Sequence, residues 1–190
     1  MTGEKRRNLA APCGLYCGAC VMYCANKRGD SESLEQIAKT LPEGIAKMAR
    51  SMSPSGEDID LSALEGQKLG IKDVACEGCL SEIVAFPCRI CGLRACALEK
   101  GLTNCYQCAD SPCQQLIDFN NDGFPHHGEV LANIRRQRDI GIDAWIAEQE
   151  QRWHCPQCRC PTDWYAGQCH DCDAMLNGQF NWPEGWGSST

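Results

Sequence analysis

The chain has 190 residues, a formal net charge of −7 and 17 cysteines. Its basic residues gather only at Lys5-Arg6-Arg7 and Arg135-Arg136-Arg138, which excludes a global electrostatic drive toward nucleic acid. Apolar residues reach 43% only with cysteine counted, so ordinary core formers are roughly a third of the chain, thin for a single hydrophobic core.

Cysteine therefore has to be explained first. An odd total, arranged as close Cys-x2-Cys pairs, suits metal ligation better than a disulfide framework joining distant segments. Metal–thiolate bonds then supply what burial does not. The N-terminus superficially resembles a secretion signal, with Cys13 as a lipid acceptor. Yet no apolar stretch precedes Cys13, and Pro12 occupies the place of a small cleavable residue. The uncharged run that follows is short for a membrane span and is interrupted by Gly14 and Gly18. A soluble, cytoplasmic protein is expected.

In chain order, residues 12–30 begin as a Pro/Gly loop and turn helical toward Lys27. Residues 31–52 read as a helix with a Ser cap and an apolar stripe of Leu34, Ile37, Ala38 and Leu41. Pro42 is expected to break it before the helix resumes. Residues 53–70 form a polar, flexible excursion, and cysteine dominates residues 76–113 before a short helix at Gln114–Phe119. The connector after it carries His126-His127, a solvated pair on this reading. Two helices follow, broken at Gly141, with Asp143 capping the second. Val130, Leu131 and Ile134 mark the buried face of one, and Ile142, Trp145, Ile146 and Trp153 that of the other. The chain ends in a final cysteine group and a weakly ordered tail.

The expected fold is thus a small α plus irregular, metal-stapled one, closed by a C-terminal zinc-ribbon-like β hairpin. Its expected divisions are a cysteine-rich metal-binding domain at 1–122, a helical connector at 123–153, the ribbon-like module at 154–176 and a flexible tail at 177–190.

The sharpest constellation is Cys155-x2-Cys158-x10-Cys169-x2-Cys172. Each Cys-x2-Cys knuckle turns two sulfurs toward one ion, and four thiolates in a tetrahedron suit Zn²⁺, with iron as the rival. No glycine follows either knuckle, and Cys160 is a fifth thiol able to replace Cys158. His154 and His170 read as neighbours of the cage rather than as ligands.

Upstream, Cys13-x3-Cys17-x2-Cys20 has the spacing of radical S-adenosylmethionine enzymes. Those enzymes need repeated strand–helix units, which this sequence lacks. A continuous helix over 13–24 would spread its ends by about 16 Å, too far for one cage. A loop around Cys13 solves part of this and ligands from the central block can solve the rest, while Cys24 is as readily buried as bound. The central block holds Cys76-x2-Cys79 and then Cys88, Cys91 and Cys96, echoed 17 residues later by Cys105, Cys108 and Cys113. Zinc and iron–sulfur clusters both remain open for residues 13–113, as does the question of which thiols share a metal.

The segments APCGLYCGAC, GIKDVACEGC, CRICGLRACALEKGLTNCYQCADSPCQQL and IRRQRDIGIDAWIAEQEQRWHCPQC together resemble the prokaryotic family catalogued as domain of unknown function 3795. The resemblance implies a cysteine-rich metal-binding protein frequent in anaerobes, and it carries metal ligation to Cys13, Cys17, Cys20, Cys76, Cys79, Cys88, Cys91, Cys96, Cys105, Cys108 and Cys113. Arg159 departs from the glycine that members often carry after the ribbon's first knuckle, which leaves the ligand set there open.

Two functions follow. One is a metal-binding accessory module, zinc-loaded, that presents a rigid surface to another protein. The other is an iron–sulfur electron carrier serving an anaerobic enzyme. No phosphate-binding loop and no acid–base pair accompany the thiols, which points away from a self-sufficient catalyst.

Overall fold

The computed structural model describes residues 6–51, 66–177 and 179–181, with the backbone alone for 47–51. Among these residues the architecture is helical and irregular, without a β-strand. The expected C-terminal β hairpin is therefore corrected. Pairing there is limited to two isolated bridges, His154–Pro161 and Gln168–Met175, because each cysteine knuckle turns too soon for a ladder to extend. The excursion and most of the tail read from the sequence lie outside the described residues.

Helix α1 (Val21–Arg28) stops at Gly29, whose left-handed φ of 68° ends the helix at no side-chain cost. Helix α2 (Ser31–Ser51) is capped by Asp30 rather than Ser31, since the Ser33 amide donates to Asp30 Oδ1 at 3.0 Å. Pro42 lies inside α2 without ending it. It is buried on the side that packs Leu34 and Ala38 against Ala25 and Val74, and this packing offsets the lost helical hydrogen bond. The one-turn helices α3 (Ile71–Val74) and α4 (Phe86–Arg89) lead into α5 (Gly92–Glu99), and α6 (Gln114–Asn120) follows the last central cysteine.

Helices α7 (Val130–Ile140) and α8 (Ile142–Arg152) meet at Gly141, whose φ of 80° ends one and admits the next. Asp143 is not the cap expected of it, because it already lies within the first turn of α8. Its carboxylate instead takes two hydrogen bonds from Arg7, at 3.0 and 2.6 Å. Arg6 grips Glu150 in the same bidentate way, so both N-terminal arginines tie the chain's start to α8. Trp145, Trp153, Leu116, Ile134 and Ile146 are the large side chains of the main core.

The connector before α7 is not a solvated histidine pair. His126 stacks on Trp164 with ring centroids 4.2 Å apart, and its Nδ1 meets the Tyr165 hydroxyl at 2.5 Å. His127 is buried, with Nδ1 at 2.6 Å from Asp122. These contacts dock the last cysteine segment on the helical body.

Burial among these rings, and secondarily the neighbouring His127, hold His126 well below its ordinary pKa. The native state thus keeps His126 neutral. Its contribution to stability is complete above the unfolded value of about 6.5 and falls as pH drops below it. We expect His126→Gln to flatten the pH dependence of the thermal midpoint below about pH 6.5, with Asp122–His127 left intact. Unchanged dependence in that variant counts against this role.

Candidate metal centre

Two short segments, 153–162 and 167–176, fold alike. In the first, Cys155 N donates to Cys160 O at 2.8 Å and Thr162 N to Trp153 O at 2.9 Å. In the second, Cys169 N donates to Ala174 O at 2.9 Å and Leu176 N to Gly167 O at 3.0 Å. Every partner is displaced by the same 14 residues, the separation of Cys155 from Cys169. The turn that closes each knuckle needs a left-handed residue, supplied by Arg159 at φ 66° and Asp173 at φ 58°. A non-glycine residue there costs about 1–2 kcal/mol. The missing glycines therefore do not abolish the knuckles.

Within this frame the sulfurs of Cys155, Cys158, Cys169 and Cys172 all lie within 4.8 Å of one another. Cys155 and Cys172 are 3.6 Å apart, and Cys158 and Cys169 are 3.5 Å apart. One ion with metal–sulfur bonds of about 2.3 Å holds its ligands a little under about 3.8 Å apart, so the cage fits a single tetrahedral ion. The second residue after each leading cysteine donates its amide to that sulfur: Gln157 N to Cys155 and Asp171 N to Cys169, both at 3.4 Å.

Those donors favour thiolates. Burial opposes ionisation of Cys169, yet the amides of Asp171 and Cys172 and the adjacent thiols bring it down to about 6. Cys155 is lowered chiefly by the Cys158 amide. For Cys172 the Ala174 amide favours the thiolate, but burial and its crowded sulfur neighbours outweigh it and push the group up to about 12. Four thiols this close do not all ionise unaided, and a divalent cation removes the conflict.

Cys160 stands at the edge. Its sulfur is 3.2 Å from both Cys158 and Cys169, but it does not belong to the set of four mutual neighbours. His154 and His170 stay out of the cage: His154 Nδ1 faces the Glu150 carbonyl, and His170 lies 3.7 Å from Asp163. The sequence reading missed Trp164, whose amide donates to Ala19 O at 2.9 Å and so joins this centre to the N-terminal cysteine loop. No cysteine or histidine spacing marks such a residue.

The other thiols gather differently. Cys17 accepts the amide of Cys79 at 3.4 Å. Cys79 is held well above the ordinary cysteine value mainly by its hydrogen bond to Cys17, and Cys88 is raised by Cys79 and then by burial. Burial, followed by Cys76 and Cys88, raises Cys20. Burial, with Cys91 next, raises Cys13. Cys13, Cys17, Cys20, Cys76, Cys79, Cys88 and Cys91 are thus electrostatic neighbours contributed by both the N-terminal loop and the central block. Cys96, Cys105, Cys108 and Cys113 line a separate cavity. Among the described residues, no three of these thiols have all their sulfurs within 4.8 Å of one another. Cys24 is spent otherwise, donating to Gly18 O at 3.2 Å inside the core.

A family profile described as "Protein of unknown function (DUF3795)" matches residues 9–118, more than half of the chain. No curated protein and no solved structure matches the chain. Among the described residues, no helix is long and apolar enough to cross a membrane.

Two pairs of variants test the four-sulfur cage. Cys155→Ser and Cys169→Ser should each lower metal content by about one ion per chain, since each removes a ligand from a closed tetrahedral set. Cys160→Ser and Cys24→Ser should keep that ion. Native mass spectrometry of the full chain reads the difference, and equal losses in all four variants would dissolve the distinction.

Proposed function

The chain belongs to the DUF3795 family, and from the sulfur geometry of its C-terminal segment we infer a metal-binding accessory protein whose C-terminal centre is a structural zinc site. The carrying observation is the four-sulfur cage with separations of 3.5 and 3.6 Å. A cage closed by four thiolates leaves no position for a water or substrate, whereas catalytic zinc keeps one open. Fully coordinated thiolates are also poor nucleophiles. The centre therefore serves to hold segments together, and it does so between the end of α8 and the loop at Ala19.

A protein is the partner class best supported. The net charge of −7 becomes more negative as thiolates form around metal, which works against nucleic acid. Arg6, Arg7 and Arg136 are already engaged with Glu150, Asp143 and Glu148. Ile83, Ile90 and Leu98 leave large apolar side chains exposed on the central block, the composition that protein contacts use. We place the protein in the cytoplasm, where seventeen unpaired thiols persist.

Zinc-edge X-ray absorption on the purified full chain tests the site. Four sulfur neighbours at about 2.3 Å are expected. Three sulfurs with one light-atom ligand would overturn the closed structural site and restore hydrolytic or lyase chemistry. Chelation should change near-ultraviolet dichroism from Trp153 and Trp164, which flank the centre, while leaving most helical signal in place.

A further inference from the structure

Four cysteines surround one cavity between α5, the turn at Cys105–Gln107 and α6. Cys96 comes from the middle of α5, Cys105 opens the turn, Cys108 closes it, and Cys113 precedes α6. Leu93 and Leu116 form part of its apolar wall. The centre of a water-sized sphere has about 30 Å³ to move in there, roughly two to three times the 10–15 Å³ that one water needs. Interiors rarely keep such a void lined by polarizable, ionisable groups without something to fill it.

The spacing says what kind of group fits. At the C-terminal centre the sulfurs already stand as one ion requires. Around this cavity no three of them are all within 4.8 Å of one another. A single tetrahedral ion would have to draw them inward against the packing of α5 and α6. A cubane cluster presents its irons at alternate corners, so its four thiolates stand farther apart than any one ion holds them. The cavity lies near the surface, with Cys96, Cys108 and Cys113 only partly buried. Lys100 reaches its edge, its Nζ 3.5 Å from Cys108 Sγ and 3.1 Å from Asp110.

We propose that Cys96, Cys105, Cys108 and Cys113 hold a [4Fe–4S] cluster. This site stands apart from the C-terminal zinc centre and does not depend on it. Lys100 places a cation beside one ligand sulfur, where it favours the reduced and more negative cluster. Reduction adds one electron from an external low-potential donor, dithionite in the test below, and makes or breaks no bond to the protein.

The full chain, purified anaerobically and supplied with ferrous iron and sulfide, is the material for the test. Wild type should contain at least about four iron and four sulfide per chain, with visible absorption that dithionite bleaches and a paramagnetic signal on one-electron reduction. The Cys105→Ser/Cys108→Ser double variant should lose about four of each while keeping its far-ultraviolet dichroism. Lys100→Gln guards against a folding artefact: it should keep the iron and move a midpoint potential to a more negative value. The proposal falls if the double variant keeps its full iron and sulfide. It also falls if these thiols take zinc without sulfide, or if Lys100→Gln leaves every potential in place. Loss of the C-terminal ion after Cys169→Ser, with iron and sulfide unchanged, separates failure of one site from failure of the other.

Discussion

A buried stretch of irregular backbone, residues 9–20, imposes the constraint that organises the molecule. It holds only one short 3-10 turn, Cys17–Ala19, and one isolated bridge, Ala10–Tyr16, and each peptide group left unpaired costs as much as a lost hydrogen bond. Part of the pairing is internal, as from Ala11 N to Leu15 O and from Cys17 N to Leu9 O, and the rest comes from the central block and the C-terminal segment. Asn104 Nδ2 donates to Ala10 O and Ala11 O, each at 3.3 Å, and Cys105 N donates to Pro12 O at 2.8 Å. Trp164 N reaches Ala19 O, and Cys79 N reaches Cys17 Sγ. The loop also needs close approach. A Cβ at Gly14, already at φ 92°, would meet Ile134 at 3.1 Å, so glycine there lets α7 lie this close to the loop. Central block, helical pair and C-terminal segment are oriented by one loop, and all three carry or support thiols.

This dependence limits what the sequence could disclose. The helices were legible because α2, α7 and α8 carry helical periodicity, and the convergence of Cys155, Cys158, Cys169 and Cys172 was legible because two Cys-x2-Cys knuckles stood ten residues apart. Their closure was not. Arg159 and Asp173 adopt left-handed backbone that glycine usually supplies, and hydrogen bonds back to the carbonyls of Cys155 and Cys169 hold them there. Nor did the sequence disclose how short the pairing would be, so a β hairpin was expected where two isolated bridges form. Pro42 misled for a related reason. A proline is a helix breaker by local rules, but burial of its side within α2 outweighs one missing hydrogen bond.

Repetition in sequence and repetition in structure proved to be separate things. The 17-residue echo of Cys88, Cys91 and Cys96 in Cys105, Cys108 and Cys113 is the more regular pattern on paper. Its members nevertheless occupy unlike positions. Cys91 precedes α5 and Cys96 lies within it, whereas their counterparts Cys108 and Cys113 follow a short turn and precede α6. The 14-residue relation of the two knuckles has almost no sequence signature beyond the cysteines, yet it repeats hydrogen bond for hydrogen bond. The proposed metal cage would account for the contrast. Two knuckles on one ion must present equivalent sulfurs, so equivalence is enforced on the backbone. Thiols that serve different positions around a wider site carry no such requirement.

Sulfur separation distinguishes the two proposed sites more finely than cysteine spacing does. Both ends of the chain use Cys-x2-Cys, and the motif alone is neutral between a lone ion and a cluster. At the C-terminus the knuckles converge until opposing sulfurs are 3.5–3.6 Å apart. In the central block the third cysteine after each Cys-x2-Cys pair is tied to a helix: Cys96 stands within α5, and Cys113 immediately precedes α6. Helices are stiff, and a thiol anchored on one cannot move inward without carrying its apolar neighbours, here Leu93 and Leu116, out of the core. Local secondary structure around the cysteines thus limits how wide each site can be, and on the proposed assignments that width, rather than the Cys-x2-Cys motif, separates a lone ion from a cluster.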